Sequence, residues 1–318
     1  MTNHRKRDIP MKISIQDAGT CDSLGIEAGY AAIAAAGFDA IDWNLDHALP
    51  ANKIRALQLG GCIFERSTSE ILEHYADELA VIRKNKLTIT QCHAPFPAYI
   101  PGHPEVLDYM LRVYEGCIRF CHAVGIPRMV VHGISLQHDD FGNDPQSIAE
   151  LNIRLYESMI PALREAKDVT VCLENLCTWV DGVATEGICF DPHETCAMID
   201  SLNAKAGMDV FGLCMDVGHM QLVMKNIRTY APILARHIKC LHIHDNDARA
   251  DRHLAPFTGI TNWRHVCDTL AEIGYRGDLS FETVQQTRKT AKFDRDLVQP
   301  WLNVIYAIGV AFRKKITE

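Results

Sequence analysis

Six of the apolar, β-type runs in this chain end on an ionisable side chain: Gln-Cys-His93, Val-Val-His132, Cys-Leu-Glu174, Cys-Met-Asp216, Cys-Leu-His242 and Ser-Phe-Glu282. The last four put three carboxylates and one imidazole on consecutive runs. Like charges gathered in one place repel by roughly several kcal/mol at interior dielectric. Glu174, Asp216 and Glu282 would therefore not ionise together without a cation or a strongly shared proton. A divalent metal held by Glu174, Asp216, His242 and Glu282 is the expectation. Three oxygen ligands and one imidazole suit Mn²⁺ or Mg²⁺ and also admit Zn²⁺, Co²⁺ or Fe²⁺.

For these residues to meet, the runs must be strands of one sheet with their carboxyl ends together. Eight strand-like segments, at 12–16, 40–43, 87–93, 128–132, 170–175, 211–216, 238–244 and 278–283, alternate with helical patterns at 25–36, 104–124, 145–166, 192–202 and 263–273. That alternation is the pattern of repeated βα units and a parallel sheet. Gly37, Gly125 and Gly274 follow three of the helices as C-terminal stops. Neither a G-x-G-x-x-G nor a G-x-x-x-x-G-K-[ST] loop follows any strand, which argues against an open nucleotide-binding sheet. The fold expected is a single-domain (β/α)8 TIM barrel over 11–318, with a flexible N-terminal tail at 1–10. In such a barrel the active site sits at the carboxyl ends of the strands.

Alternation of faces along a strand places Cys172, Cys214, Cys240 and Ser280 one layer below Glu174, Asp216, His242 and Glu282. Small residues there make a floor, while Leu173, Met215, Leu241 and Phe281 should face the helices. His219, three residues past Asp216, can reach substrate or a second ion. Asp251 and His253 point the same way if their loop is extended, and His244 shares the face of His242 as an alternative ligand. Trp43, at the end of the second strand, either walls the pocket or packs the core. His103, His122, His138 and His265 fall on helices or loops and read as structural.

Bulk properties narrow the class. The net charge of −8 offers no general attraction for phosphate backbones or anionic lipid, and the one short basic cluster, His4-Arg5-Lys6-Arg7, belongs to the tail. No apolar run of about 18 residues is present, so neither a membrane span nor a secretory segment is expected. Twelve cysteines without a Cys-x-x-Cys pair read as free thiols in a reducing, cytoplasmic setting.

The stretches Cys-Leu-Glu174-Asn175, Met-Asp216-Val-Gly-His219, Leu-His242-Ile-His-Asp245-Asn-Asp, Asp251-Arg-His253 and Phe-Glu282-Thr resemble the xylose-isomerase-like barrel superfamily over residues 12 to about 310. That superfamily holds sugar and sugar-phosphate isomerases and epimerases, keto-sugar lyases and the endonuclease IV group. In its ketose epimerases the glutamates of strands five and eight bind the metal and exchange the substrate proton. The resemblance assigns this role to Glu174 and Glu282, through an enediolate-like intermediate and without an organic cofactor. It implies a small sugar or keto-sugar partner, and leaves homo-oligomerisation open. A lyase acting on 3-keto-glycosides would expel an aglycone instead, with His93 or His132 as acid or base. The endonuclease IV group binds three zinc ions, and its positions correspond to His93, His132, Glu174, Asp216, His219, His242, Asp251, His253 and Glu282. Against cleavage at abasic sites stand the acidic total and Leu-Ala-Pro-Phe-Thr-Gly259, where that group carries a Gly-Glu-Gly style of loop.

Overall fold

A computed structural model describes residues 11–135 and 145–318. The tail expected at 1–10 and His138 lie outside the described residues.

Ten strands form. Eight of them, β1 (Ile13–Gln16), β2 (Ala40–Asn44), β3 (Thr88–His93), β4 (Arg128–Val131), β5 (Thr170–Glu174), β8 (Phe211–Asp216), β9 (Ile238–His242) and β10 (Leu279–Phe281), make one parallel sheet in the order β10-β1-β2-β3-β4-β5-β8-β9. The ring closes where Ile243 donates its N–H to the Ser280 carbonyl at 2.8 Å and accepts from the Glu282 N–H at 3.0 Å. The expected single-domain (β/α)8 barrel is thus the fold observed. Register aligns the functional ends: Glu174 lies opposite Cys214, and Asp216 opposite His242.

Two apolar layers follow from the alternation. Outside the strands, Leu173, Met215, Leu241 and Phe281 join the large core beneath the helices. Inside, Val130, Cys172, Cys214 and Cys240 form a separate buried plug. The predicted floor of small side chains is therefore present, and all twelve cysteines are unpaired.

The helix 104–124 forms as Pro104–Val124 and stops at Gly125 in the left-handed region, φ 83°. The segment 145–166 instead divides into Pro145–Glu157 and Ile160–Glu165. Pro161 explains the division, because a proline lacks the N–H a continuous helix needs and is tolerated only near a new helix start. A two-stranded hairpin, β6 (Cys177–Val180) and β7 (Val183–Glu186), follows β5 and is absent from the sequence expectations. Its turn is Asp181-Gly182, both at positive φ, the dipeptide that a tight hairpin favours. Among the described residues, no helix is long and apolar enough to cross a membrane.

Candidate active site

At the carboxyl end of the barrel, β5, β8 and β9 end in Glu174, Asp216 and His242, and Glu282 follows β10 directly. One ligand atom from each of the four lies within 4.8 Å of the others. All four are buried. Glu174 Oε1 is 3.1 Å from His242 Nδ1, and Glu282 Oε2 is 3.4 Å from the same nitrogen. The other ring nitrogen, His242 Nε2, meets Asp42 Oδ2 at 3.1 Å. A carboxylate on the far nitrogen fixes the ring and its tautomer and leaves the near nitrogen free to act as a ligand.

Asp42 is a residue that the sequence reading missed. It is fully buried on the inner face of β2, where it also accepts from Gln91 Nε2 at 2.8 Å. Trp43, its neighbour, is the correction. Asp42 and Asn44 take the inner face, so Trp43 must point outward. It packs against Tyr75 and Phe120, donates its indole N–H to Glu78 Oε1 at 3.1 Å, and does not line the cavity.

A second convergence lies beside the first. His93 Nε2 is 3.0 Å from His132 Nε2, and Glu174 Oε2 lies 3.1 Å from the latter and 3.7 Å from the former. The Oε2 atom is nonetheless buried with no aligned hydrogen-bond donor. His93 Nδ1 faces the Ala94 carbonyl at 2.9 Å, His219 Nδ1 that of Asn175 at 2.9 Å, and His253 Nδ1 that of Glu282 at 3.1 Å. A carbonyl accepts only, so each Nδ1 carries the proton and each Nε2 turns its lone pair inward. For His219 and His253 that lone pair faces Asp251 Oδ2, at 3.4 and 2.9 Å. Lone pairs aimed at lone pairs call for a cation or an added proton.

His244 is drawn in as well. Its Nε2 is 3.0 Å from Asp216 Oδ2 and its ring stacks on His253 with centroids 4.3 Å apart, so it borders the same cluster as His242. Gly218 makes room for it, since a Cβ there would fall 2.0 Å from the His244 ring. Asp216 also caps the short helix that carries His219, accepting from the His219 N–H at 2.6 Å.

The electrostatics match this reading. Burial alone would raise Glu174, but His242 and His132 beside it hold its carboxyl well below the ordinary range. Burial works against charge on His93 too, yet the adjacent Glu174 carboxylate and the nearby Asp46 push it up to about 9. His253 likewise reaches about 9 against its burial, through Glu282 and Asp251. Carboxylates and imidazoles thus draw one another towards their charged forms, the balance that a cation would otherwise supply. The donor set fits a divalent ion at Glu174, Asp216, His242 and Glu282, and further cation-demanding groups adjoin it.

Above the cluster is a cavity of about 390 Å³. His93, His132, Glu174, His219, Asp251, His253 and Glu282 line it, as the sequence reading expected, whereas Asp216 and His242 lie beneath its floor. Gln16, Asn44, Asp46, His47, Gln285 and Arg288, with the apolar Pro50, Ala51, Phe96 and Val284, complete the wall and were not foreseen. Gln16 donates to Glu282 Oε1 at 2.8 Å. Of the histidines read as structural, His103 pairs with Glu105 and His122 with Asp168, both away from the cavity; His265 also lies outside it.

A family model described as a xylose isomerase-like TIM barrel matches residues 30–300. An uncharacterised protein, y4fM of Sinorhizobium fredii (strain NBRC 101917 / NGR234), is 30% identical over 166 residues, 51% of this chain and 48% of that protein; the match thus spans about half of the relative's length. Among solved structures, a D-tagatose 3-epimerase-like protein aligns with TM-score 0.66 at 18% identity, covering 92% of this chain and 98% of its own. The 3-keto-D-glucoside 4-epimerase YcjR from E. coli aligns at 0.63 and 17%, covering 92% and 99%. An L-ribulose 3-epimerase aligns at 0.63 and 18%, covering 96% of each chain. At such identities the likeness establishes the fold.

Proposed function

Because the chain belongs to the xylose isomerase-like TIM barrel family, we propose that it is a divalent-metal-dependent sugar isomerase or epimerase that removes a proton next to a carbonyl. The observation that supports this most is the convergence of Glu174, Asp216, His242 and Glu282 within 4.8 Å at the floor of the cavity. Similar folds that carry sugar epimerase names add to it. A metal bound there, Mn²⁺ or Mg²⁺ by the balance of oxygen ligands, would polarise a carbonyl and its neighbouring hydroxyl and ease loss of the proton between them.

The chain's own groups do the rest. Glu174 and Glu282 are the candidate proton carriers, one removing the proton and the other returning it through an enediolate-like intermediate. Gln16 orients Glu282 by its hydrogen bond, and Asp42 orients His242. Asn44, Asp46 and Gln285 supply hydrogen-bonding groups of the kind that sugar hydroxyls need. The same abstraction in a 3-keto-glycoside would expel an aglycone, with His93 or His132 serving the leaving group. Keto-sugars incubated with metal-loaded protein in D₂O should gain deuterium at the carbon beside the carbonyl. A complete panel without exchange would sink the proposal.

One observation favours a second reading. His93–His132–Glu174, Asp216–His219–His244 and His244–His253–Glu282 each gather ligand atoms within 4.8 Å. Several ions clamped side by side are the equipment of phosphodiester cleavage. Elemental analysis separates the two: about one metal per chain supports the isomerase, about three the nuclease-like reading. Nicking of an abasic-site duplex in a Glu174-dependent manner, with no deuterium exchange, would put the second reading in place of the first.

A further inference from the structure

Phe96, His132, His219 and Asp251 line a second cavity as well, of about 400 Å³, so the two are lobes of one cleft that meet at these side chains. A free monosaccharide would occupy only the first lobe. Pro97, Leu176, Trp179 and Leu222 wall the second lobe together with Ser135, Cys177 and Thr178, and Arg55 is its one basic side chain apart from the shared histidines.

Trp179 is on β6, paired with Ala184 across the hairpin. Its indole is half-buried, and among the described residues it has neither a ring partner nor a hydrogen-bond partner. An aromatic face of that size held against a cleft offers a platform to the apolar face of a ring. Arg55 is exposed and forms no ion pair among the described residues, whereas Arg288 of the first lobe is tied to Asp22, its Nε 3.0 Å from Oδ2. An uncommitted guanidinium presents a planar fork of donors that matches a carboxylate or a phosphate.

We propose that the second lobe is an aglycone subsite. The substrate is then a glycoside whose sugar lies in the first lobe and whose cyclic aglycone stacks on Trp179 and offers an anionic group to Arg55. This rests on the sugar reading above and adds to it the substrate class.

Calorimetric titration of the metal-loaded protein tests it with methyl, phenyl, para-carboxyphenyl and para-phosphophenyl 3-keto-glucosides. Affinity should rise roughly tenfold from methyl to phenyl and roughly tenfold again for one of the two anionic aryl compounds, which identifies the anion. Trp179→Ala should remove the first step and Arg55→Gln, at an exposed position that does not bear on folding, only the second. Equal affinity for methyl and aryl compounds in the unaltered protein, or steps that survive both substitutions, would overturn the subsite. Deuterium exchange on the same compounds keeps the two ideas apart. Exchange without discrimination among aglycones retains the reaction and removes the subsite. Discrimination through Trp179 and Arg55 without exchange retains the subsite and removes the reaction, and failure of every compound to bind removes both.

Discussion

Two regions of this barrel bury carboxylates, and they resolve the charge differently. At the mouth, Glu174, Asp216 and Asp251 are held below the ordinary carboxylate range by surrounding imidazoles, and Glu174 Oε2 is left with no aligned donor. Behind β2, Tyr30 Oη lies 2.7 Å from both Asp17 Oδ2 and Glu78 Oε1. A phenol has one proton to give, so the second contact requires a proton on one of the carboxyls. Burial, reinforced by the Glu78 charge and opposed by the Asn44 and Tyr30 hydrogen bonds, pushes Asp17 up to about 7. The rear cluster satisfies itself with a shared proton, whereas the mouth is arranged so that an ion completes it. Burial of acidic groups is therefore not the mark of a site; burial with lone pairs left facing one another is.

Isosteric amides should break the symmetry between the clusters most strongly. Glu174→Gln or Glu282→Gln removes a ligand charge and a base, and deuterium exchange should fall by about 10² to 10⁴-fold. Asp17→Asn keeps a donor for the Tyr30 oxygen and should leave the exchange rate within roughly threefold, since Asp17 does not line the cavity. Comparable losses at both places, measured on protein of unchanged circular dichroism, would erase the distinction drawn here.

Asp42→Asn tests whether the mouth is oriented as well as charged. Loss of the carboxylate behind His242 Nε2 should weaken metal affinity by about 10 to 100-fold, read by titration against a chelating indicator. Unchanged affinity would reduce Asp42 to a packing residue.

Chelation should act on one cluster only. An ion bound at about a hundred times its Kd stabilises the folded state by about 2.7 kcal/mol, so EDTA should lower the Tm of the unaltered protein by roughly 5 °C. The Asp17→Asn variant should show the same shift, and Glu174→Gln should show little.

The effect confined to the rear cluster runs with pH. Asp17 keeps its proton to about pH 7 when folded but loses it near 3.8 when unfolded. The folded state thus binds the extra proton between those values, and the stability this provides is complete below about pH 4 and declines as pH rises to about 7. The contribution is at most about 4 kcal/mol. Urea unfolding of the unaltered protein against Asp17→Asn should show that slope in the difference between them; parallel pH profiles would mean that Asp17 ionises normally.

Much of the site was legible in the sequence because its signals are local. A strand alternates faces every residue, so Cys172 beneath Glu174 and Cys214 beneath Asp216 follow from the order of residues, and a barrel gathers strand ends at one mouth. His93 and His132 met Glu174 for the same reason. The hairpin at Asp181-Gly182 was also legible, in a turn dipeptide that was passed over.

What the order of residues could not supply is which side chains face one another across a closed ring. The Asp42–His242 contact joins positions 200 apart and the Gln16–Glu282 contact positions 266 apart, and both depend on closure and stagger of the strands. Trp43 shows the limit at shortest range, because one residue of phase decides whether the ring or the carboxylate enters the cavity, and only the paired neighbours β1 and β3 fix that phase. The tautomers of His93, His219 and His253 were equally invisible, since each is set by a backbone carbonyl brought to the ring by tertiary structure. Residue types and their alternation therefore determined that the mouth is a cluster of potential ligands, while closure of the barrel decided which atoms point at the same place.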